Sequence, residues 1–241
     1  MLQTILVGLT ELVYPPACFL CKIPLRRSHP ENVLCLACRH LLKPNLPPFC
    51  IVCSRHLSEP LTMTRCRECR HHPPHFDFAW GAYQYNNTLK ELIHAFKYDG
   101  KIYLRHYFFS LIISFIKDYQ LDICQFDYLI PIPLHPTKLR ERTYNQSLIL
   151  SKMISYHFNI PLLENHLAKI RYTKNQAEIE RKQRWTNIHG AFRIKNSKAV
   201  KEKNILLLDD LLTTGATASE GARILKEAGA KKVSVLTLAI A

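Results

Sequence analysis

The chain has 241 residues, 47% of them hydrophobic and 22% charged, which is ordinary for a soluble globular protein of one or two domains. Its most apolar run, residues 107–116, is too short to span a bilayer, so no transmembrane segment is predicted. An excess of Lys and Arg gives a formal charge of +14, which predicts a polyanionic partner: nucleic acid, a phosphorylated substrate or acidic lipid headgroups.

The first predicted element is a short amphipathic helix at the N-terminus. Its apolar residues fall on one face: Leu2, Ile5, Leu6, Leu9, Leu12 and Val13. The segment has neither a basic leading region nor a small-residue cleavage site, so we do not interpret it as a signal peptide. Packing against its own protein is the simpler interpretation, and docking on a membrane or a partner is the alternative.

Eight of the nine cysteines form four C-x-x-C pairs, which are Cys18/Cys21, Cys35/Cys38, Cys50/Cys53 and Cys66/Cys69. Two such pairs separated by a dozen or so residues have the spacing of a zinc ribbon, because each turn aims two sulfurs at one tetrahedral ion. The doubled pattern predicts two zinc ions per chain, held by sequential pairs or in a cross-braced arrangement. Zinc-bound thiolates indicate a reducing compartment, hence the cytoplasm. The ninth cysteine, Cys124, is predicted to be a small buried side chain.

The composition changes around residues 71–75, where closely spaced prolines indicate a linker. We therefore expect two domains: residues 1–75, with the N-terminal helix and the tandem zinc ribbons, and residues 76–241. The first part has prolines in its loops and no long periodic run. A segment that cannot build a core from its own apolar residues is typically stabilised by structural zinc.

Strands and helices alternate in the second domain. The predicted strands cover residues 79–85, 127–133, 205–208 and 233–240, and the predicted helices cover residues 88–98, 103–116, 145–157 and 217–228. Such alternation predicts an α/β fold with a mainly parallel sheet flanked by helices.

Residues 205–217 are the most informative stretch for function. A buried strand delivers Asp209 and Asp210 at its carboxyl end, where ligands collect in open α/β sheets. A short turn then leads into a helix whose first residues are Thr213, Thr214, Gly215, Ala216 and Thr217. Backbone N–H groups at a helix start favour an anion, and Gly215 lets the backbone approach it closely. Adjacent acids before an anion cradle suit a ligand with vicinal hydroxyls beside a phosphate, such as ribose 5-phosphate.

This stretch has two other interpretations. A hydrophobic run that ends in two aspartates also resembles the acidic strand of P-loop ATPases, but the chain has only seven glycines and no G-x-x-x-x-G-K-[ST] motif. The other alternative is a strand, turn and helix with a purely structural role.

The same stretch closely resembles the signature of type I phosphoribosyltransferases, which bind phosphoribosyl pyrophosphate (PRPP). The resemblance implies a phosphoribosyltransferase-like domain. It also implies that Asp209 and Asp210 hold the ribose hydroxyls, while residues 213–217 wrap the 5′-phosphate.

Further motifs resemble the ComF/GntX competence family, and together with the doubled cysteine module they cover nearly the whole chain. Lys97 lies in an element like the family's K-Y-x-G. A V-P-x-P-like strand at residues 130–133 precedes a basic loop that resembles the family's pyrophosphate side, with Lys138, Arg140 and Arg142. In the turn that follows, Thr143 stands where the family has glycine, a departure that affects the backbone geometry implied for that loop but not its charge.

The segment 169–203 carries eleven Lys or Arg against three acids, and Tyr172, Trp185 and Phe192 are interleaved in it. Cations and aromatic rings together favour single-stranded nucleic acid, through phosphate contacts and base stacking. The DNA-binding candidates are Arg171, Lys174, Arg181, Lys182, Arg184 and Trp185. The alternative is a solvated basic face, or one that serves the pyrophosphate.

The family resemblance implies a PRPP-binding, cytoplasmic accessory protein of natural transformation, which helps imported single-stranded DNA enter recombination. Zinc and, with PRPP, magnesium are the expected cofactors. Competence or recombination proteins, such as a DNA-uptake helicase, are candidate partners, and peripheral attachment at the inner face of the membrane is compatible with this role.

Two alternatives stay open for the function. One is an active phosphoribosyltransferase in nucleotide salvage or another pathway. The other is a zinc-ribbon DNA or protein adaptor with a vestigial ligand site. The residues identify no catalytic nucleophile and no acceptor, so the sequence leaves the question of enzymatic activity open.

Overall fold

The computed structural model describes residues 16–25, 33–57, 64–173 and 183–241. The predicted N-terminal helix and three of the DNA-binding candidates, Lys174, Arg181 and Lys182, lie outside these ranges. The helices are α1 (Leu36–His40), α2 (Arg67–His71), α3 (Asn87–Tyr98), α4 (Leu104–Asp118), α5 (Pro136–Arg142), α6 (Gln146–Phe158), α7 (Gln183–Ile188) and α8 (Ala216–Glu227), with a 3-10 turn at Ile123–Gln125. The strands are β1 (Phe78–Gln84), β2 (Tyr128–Pro131), β3 (Leu167–Lys169), β4 (Phe192–Ile194), β5 (Asn204–Leu212) and β6 (Lys232–Ile240). Within these ranges, every helix is too short or too polar to cross a membrane.

The central sheet has four strands in the order β1-β6-β5-β2, all parallel to their neighbours. This arrangement confirms the predicted α/β fold. The two inner strands, β5 and β6, are the most apolar, as expected for strands that are covered on both faces. Strands β3 and β4 form a separate antiparallel pair.

Successive residues of the inner strands point to opposite faces of the sheet and enter two hydrophobic clusters. On the first face, Leu206 and Leu236 pack with apolar side chains of α3, α4 and α6. On the second face, Leu207 and Val235 pack with α8. The helices that carry the site residues are therefore fixed to the sheet by two separate cores.

Strand β5 is longer than predicted. The sequence suggested a strand over residues 205–208, whereas the pairing with β6 continues to Leu212, which lies opposite Ile240. Asp209 and Asp210 are consequently within the strand, since the apolar residues Leu211 and Leu212 extend the pairing beyond them.

The two cysteine-rich repeats fold alike. In each, the first C-x-x-C turn is closed by a backbone hydrogen bond of 3.0 Å, from Lys22 N to Cys18 O and from Ser54 N to Cys50 O. Lys22 and Ser54 both adopt the left-handed conformation, with φ of 63° and 53°. The second pair begins at the N-cap of a one-turn helix, α1 or α2. The repeated sequence pattern therefore corresponds to a repeated structure.

The repeats pack on opposite faces of the sheet. The first repeat joins the core under α3 and α4, and the second joins the core under α8. Backbone hydrogen bonds connect both to β1, from Asn45 N to Ala82 O at 3.0 Å and from Ala79 N to Val52 O at 2.9 Å. The cysteine-rich part and the α/β part thus share their cores across residue 75.

Candidate functional site

The cysteine sulfurs form two groups of four. The groups are Cys18, Cys21, Cys35 and Cys38, and Cys50, Cys53, Cys66 and Cys69, and in each the sulfurs lie within 4.8 Å of one another. Ligands about 2.3 Å from one tetrahedral zinc would be roughly 3.8 Å apart, so each group fits one ion. The grouping selects sequential pairing over the cross-braced alternative and suggests two zinc ions per chain.

Cys124 stands apart from both groups. It lies in the 3-10 turn before β2 and is exposed. The prediction of a small buried side chain was therefore wrong, because the turn presents this residue to solvent while its neighbour Ile123 is buried.

Asp209 and Asp210 lie near the carboxyl end of β5 and meet side chains from two helices. Asp210 is 6% exposed, and its Oδ2 lies 2.5 Å from Nζ of Lys97 at the end of α3. Asp209 Oδ1 accepts two hydrogen bonds of 2.9 Å, from the hydroxyl of Ser147 on α6 and from the backbone N–H of Asp210. The structure therefore brings Lys97, which was predicted from a distant motif, to the acidic pair.

The electrostatics of this pair are uneven. Burial and the neighbouring charge of Asp210 raise the pKa of Asp209 to about 7, although Lys97 and the hydrogen bonds act in the opposite direction. Burial by itself would lower the pKa of Lys97, but the charge and hydrogen bond of Asp210 raise it above its ordinary value. Lys97 and Asp210 form a buried ion pair, and Asp209 is the carboxyl group that changes its charge near neutral pH.

Residues 213–215 connect β5 to α8 in a tight turn, and with the first two residues of the helix they form the segment 213–217, called the phosphate turn after its predicted ligand. Gly215 is the N-cap of α8 with φ of +83°, in the left-handed region that favours glycine. The buried hydroxyl of Thr214 accepts a hydrogen bond of 3.4 Å from Ala216 N. The first N–H groups of α8 have no acceptor within the helix, and they lie with the positive end of its dipole at the sheet edge that carries the acids.

The predicted start of this helix needs a correction. The sequence analysis placed Thr213 and Thr214 in its first turn, but α8 begins at Ala216, after Gly215. Thr213 and Thr214 instead form the turn itself, because the left-handed backbone of Gly215 reverses the chain before the helix can begin.

The turn is supported by the second cysteine repeat. The guanidinium of Arg55, two residues after Cys53, donates a hydrogen bond to the carbonyl oxygen of Thr213. The backbone N–H of His75 donates to the hydroxyl of Ser219 in α8 at 3.0 Å. The ring of Phe76 lies 3.7 Å from the position that a Cβ on Gly215 would occupy.

A group of cations lies around Lys169, which interacts with Asp209. Burial, together with the charges of Arg142, Arg171 and Lys138, lowers the pKa of Lys169, on β3, to about 8, although the carboxylate of Asp209 acts in the opposite direction. These side chains are near enough to act on one another although they come from α5, β3 and the loop after β3. The arrangement can hold a second anionic group beside the phosphate turn.

Two of the three cations predicted for the pyrophosphate belong to this group. Arg142 donates to the hydroxyl of Tyr98 at 2.8 Å and lies 4.7 Å from the centre of its ring. Lys138 pairs with Glu141 at 2.8 Å. Arg140, in contrast, is exposed and donates to Thr137 of its own helix at 3.5 Å.

The backbone conformation of Thr143 explains why the family pattern has glycine at this position. It is the C-cap of α5 and has φ of +65°, which is left-handed. A β-branched residue is strained in that region, whereas glycine adopts it freely. The loop thus has a backbone conformation suited to glycine at a position that threonine occupies.

The DNA-binding candidates within the described residues are partly engaged in structural contacts. Arg171 donates to the carbonyl oxygens of Asn187 and His189 at 2.9 and 2.6 Å. Trp185 donates from Nε1 to Glu68 at 3.1 Å and stacks on His72, with ring centres 5.1 Å apart. Arg184, on α7, also has an interaction within the protein.

The predicted stacking aromatics differ in exposure. Phe192 is only 3% exposed, so the expectation that it could stack on bases is wrong; it fills the core beneath α8. Tyr172 is 45% exposed, and Lys138 Nζ lies 5.4 Å from the centre of its ring. Tyr172 is therefore the more accessible ring, and it adjoins the cation group of the candidate pyrophosphate side.

Three residues of this site escaped the sequence analysis: Ser147, Lys169 and Arg55. Ser147 lies four residues after Thr143 of the turn that resembles the family's pattern, so its place at the start of α6 was a usable signal. Lys169 had been counted only as one charge of the basic segment. Arg55 gave no signal, because its contact with Thr213 joins residues that are 158 positions apart.

Two family models match this chain. The double zinc ribbon domain matches residues 9–70, and the phosphoribosyl transferase domain matches residues 145–240. The first match covers both cysteine groups, and the second covers Ser147, the acidic pair and the phosphate turn. Both regions identified by geometry therefore coincide with a known domain type.

Curated relatives extend over most of the chain. Competence protein ComFC of Bacillus subtilis is 30% identical over 224 residues, covering 87% of this chain and 85% of the relative. Competence protein F of Haemophilus influenzae is 28% identical and covers 87% of this chain and 91% of the relative. The DNA utilization protein YhgH of Escherichia coli is 26% identical and covers 94% and 98%. These relatives match the cysteine-rich part and the α/β part together.

Proposed function

Because the chain belongs to the ComF family of competence proteins, we propose that it is a PRPP-binding accessory protein of natural transformation, which handles imported single-stranded DNA in the cytoplasm. The relatives are named competence and DNA utilization proteins, and they support the process. The ligand is proposed from the site itself.

The observation that carries the proposal is the junction of β5 and α8. Asp209 and Asp210 provide charged acceptors for two neighbouring hydroxyls, and the turn at Gly215, five residues after Asp210, provides backbone donors for a phosphate. Ribose 5-phosphate carries both groups in this spatial relation. The Lys97 ion pair fixes one carboxylate, so that its orientation is set before a ligand arrives.

The cation group suits the diphosphate of PRPP. Lys138, Arg142 and Arg171 lie around Lys169, whose ammonium group interacts with the carboxylate of Asp209, and a diphosphate is the part of PRPP that needs such charge. Magnesium would accompany the diphosphate, because hard cations prefer phosphate and carboxylate oxygens, and Asp209 and Asp210 are the carboxylates at hand. We therefore propose the Mg²⁺ complex of PRPP as the ligand.

One feature favours the alternative of an active phosphoribosyltransferase: the site has groups suited to both the ribose 5-phosphate and the diphosphate of PRPP. Release of pyrophosphate from PRPP with candidate acceptors, followed in single-turnover reactions, separates the two. An accessory protein should bind PRPP without acceptor-dependent release. Acceptor-dependent pyrophosphate release that is abolished by Asp210→Asn would instead establish a phosphoribosyltransferase.

The proposed contact with single-stranded DNA is tested by its salt dependence. Affinity should fall steeply with salt, with a logarithmic slope of about 0.7 per phosphate contacted. Replacing Arg181, Lys182 and Arg184 together by Ala should flatten this slope, measured by fluorescence anisotropy of a labelled oligonucleotide. As the matched control, replacement of Lys226 and Lys231, which lie near the far end of α8, should leave it unchanged. An unchanged slope in the triple variant would assign those charges to PRPP or to solvent.

Trp185 needs a separate measurement, because its ring already stacks on His72. If a base also stacks on it, Trp185→Ala should weaken DNA binding by about 1–3 kcal/mol at every salt concentration. The variant His72→Ala opens the covered face of the ring and should leave affinity unchanged or raise it. If Trp185→Ala and His72→Ala weaken DNA binding equally, the stacked pair of Trp185 and His72 acts through folding and not through stacking on DNA.

A further inference from the structure

The first C-x-x-C turns of the two cysteine repeats correspond residue by residue, and at one position in them the side chains make different contacts. The first-turn hydrogen bonds are equivalent, from Cys18 N to Ile23 O and from Cys50 N to Arg55 O, both 2.8 Å. Ile23 and Arg55 thus occupy the same place in the same turn. Ile23 is 58% exposed, whereas the guanidinium of Arg55 reaches the carbonyl oxygen of Thr213.

The second repeat also shares a hydrophobic core with the residues on either side of the phosphate turn. Its four cysteines belong to the same hydrophobic cluster as Leu212 and Ala216, which flank the turn on either side. Phe76 of this cluster packs below Gly215. The cysteines of the first repeat that enter a core, Cys18 and Cys38, pack on the opposite face of the sheet with α3 and α4.

We propose that the second cysteine group positions the phosphate turn through Arg55, so that zinc in this group and the phosphoribosyl ligand stabilise each other's binding. Arg55 is a positioning residue here: its hydrogen bond fixes the Thr213 carbonyl and therefore the orientation of the N–H groups that follow. The first cysteine group has no such connection within the described residues and serves as the internal comparison. This inference rests on the proposed function for the identity of the ligand only.

The physical basis is the placement of the zinc turn. Zinc ties Cys50 and Cys53 to the second pair of cysteines, and Arg55 follows directly, on a backbone whose conformation the C-x-x-C turn sets. Without zinc the C-x-x-C turn is no longer tied to the second pair of cysteines. The backbone from which the Arg55 side chain extends is then no longer held in place. Coupling between two sites is reciprocal. A ligand bound at the phosphate turn must therefore strengthen zinc binding in the second cysteine group by the same factor by which zinc strengthens ligand binding.

Three variants of the full-length zinc protein test the inference. Arg55→Met removes the donors and keeps the length of the side chain, Arg55→Lys keeps a donor and a charge, and Ile23→Met is the matched change in the first repeat. Each is first shown to contain two zinc ions per chain and to melt cooperatively. A variant that loses zinc on purification is loaded with zinc before measurement.

The first readout needs no ligand. Hydrogen exchange of the backbone amides at residues 213–217 should be faster by about fivefold or more in Arg55→Met than in the wild type, with Ile23→Met unchanged and Arg55→Lys in between. Exchange in β6, measured in the same experiment, should stay the same in all four proteins. Equal exchange of the phosphate turn in Arg55→Met and the wild type would overturn the positioning role, whatever the protein binds.

The second readout follows zinc release to a chromogenic chelator, with and without Mg²⁺-PRPP. In the wild type, saturating PRPP should slow the release of one zinc equivalent by about fivefold or more and leave the other unaffected. In Arg55→Met, PRPP should slow neither. The proposed coupling would be overturned if PRPP slowed the release of both zinc equivalents in the wild type. It would also be overturned if PRPP slowed the release of one equivalent as much in Arg55→Met as in the wild type. If the wild type binds no PRPP at all, the proposed ligand is wrong, and the exchange experiment still decides the role of Arg55.

Discussion

Thr143 is strained by its position at the end of α5. Its φ of +65° costs a β-branched residue on the order of 1–2 kcal/mol relative to glycine, part of which glycine returns through the greater entropy of its unfolded chain. Thr143→Gly should therefore raise the free energy of unfolding by about 0.5–1 kcal/mol, measured by urea denaturation. The control is Asn159→Gly, since Asn159 has φ of +54° but is a residue type that tolerates this region. Equal gains from both variants would mean that the β-branched side chain of Thr143 carries no special strain.

Asp209 should make ligand affinity depend on pH. Its pKa is raised to about 7 by burial and by Asp210, and the ionised form is the better acceptor for ribose hydroxyls. Affinity for PRPP should rise from about pH 6 to about pH 8 and level off above, as measured by calorimetry. The ligand's own phosphate titrates near pH 6 and affects every protein equally, so the comparison is with Asp209→Asn, which should lose the part of the dependence centred near pH 7.

The same carboxyl group should affect stability in the opposite sense. A carboxyl whose pKa is raised by folding destabilises the folded state once the pH exceeds its unfolded pKa, and the penalty is complete above the folded pKa. Asp209→Asn removes this penalty at about pH 8 while keeping the acceptor for Ser147. The variant should therefore melt at a higher temperature than the wild type without ligand, although it binds PRPP less well. A lower melting temperature together with weaker binding would indicate plain structural damage.

At the scale of single residues, local pattern predicted the acids and the turn but not their neighbours. Asp209, Asp210 and Gly215 are recognisable because strand, turn and helix follow one another in the chain. Arg55 and Lys169 approach the same site from distant segments, and only the folded chain brings them there. Contacts of this kind follow from the packing of elements, which periodicity does not encode.

Gly215 determines how α8 begins. Its φ of +83° is unfavourable for any other residue, and a Cβ would meet Phe76 at only ordinary contact distance, so the cost of substitution lies in the backbone. Gly215→Ala should lower the free energy of unfolding by about 1–2 kcal/mol and also weaken PRPP binding, because the turn that presents the N–H groups must change. A bulky β-branched residue such as Val should abolish binding.

The opposite end of the same helix provides the control for Gly215→Ala. Gly229 follows the C-cap of α8 with φ of +91°, and a Cβ there would lie 3.3 Å from Cγ of Lys201, a flexible side chain. Gly229→Ala should cost similar stability in urea denaturation but leave the affinity for PRPP unchanged in calorimetry. If both variants weaken binding alike, the loss reflects the stability of α8 and not the phosphate turn.

The elements themselves were predicted well where apolar periodicity is strong. The predicted ends of five elements agree with the structure to within about two residues, which is the usual uncertainty of element ends. These elements are the strands β1 and β6 and the helices α3, α4 and α6. The error at β5 arose because charged residues usually end a buried strand. Here Asp209 and Asp210 are kept inside it by Lys97 and Ser147, which supply the partners that burial requires.

On the scale of the whole molecule, the cysteine-rich part and the α/β part share two cores. Two zinc ribbons placed on opposite faces of one sheet can have different roles, although their sequences repeat. The first supports the face with α3 and α4, and the second lies under the phosphate turn. The sequence predicted both zinc groups from spacing alone, but their positions on the sheet follow from long-range packing.

Calorimetric titration of the zinc-loaded protein with PRPP and Mg²⁺ tests the ligand site directly. The wild type should bind PRPP at one site per chain and bind ribose 5-phosphate more weakly. Asp210→Asn should lose about 1.5–3 kcal/mol of binding free energy, since it removes a charged acceptor. Asp122→Asn, at the amino-terminal edge of the sheet, should bind like the wild type. If the wild-type protein binds neither PRPP nor ribose 5-phosphate at millimolar concentration, the phosphate turn is not a ligand site, and the protein is a zinc-ribbon adaptor with an inactive α/β domain.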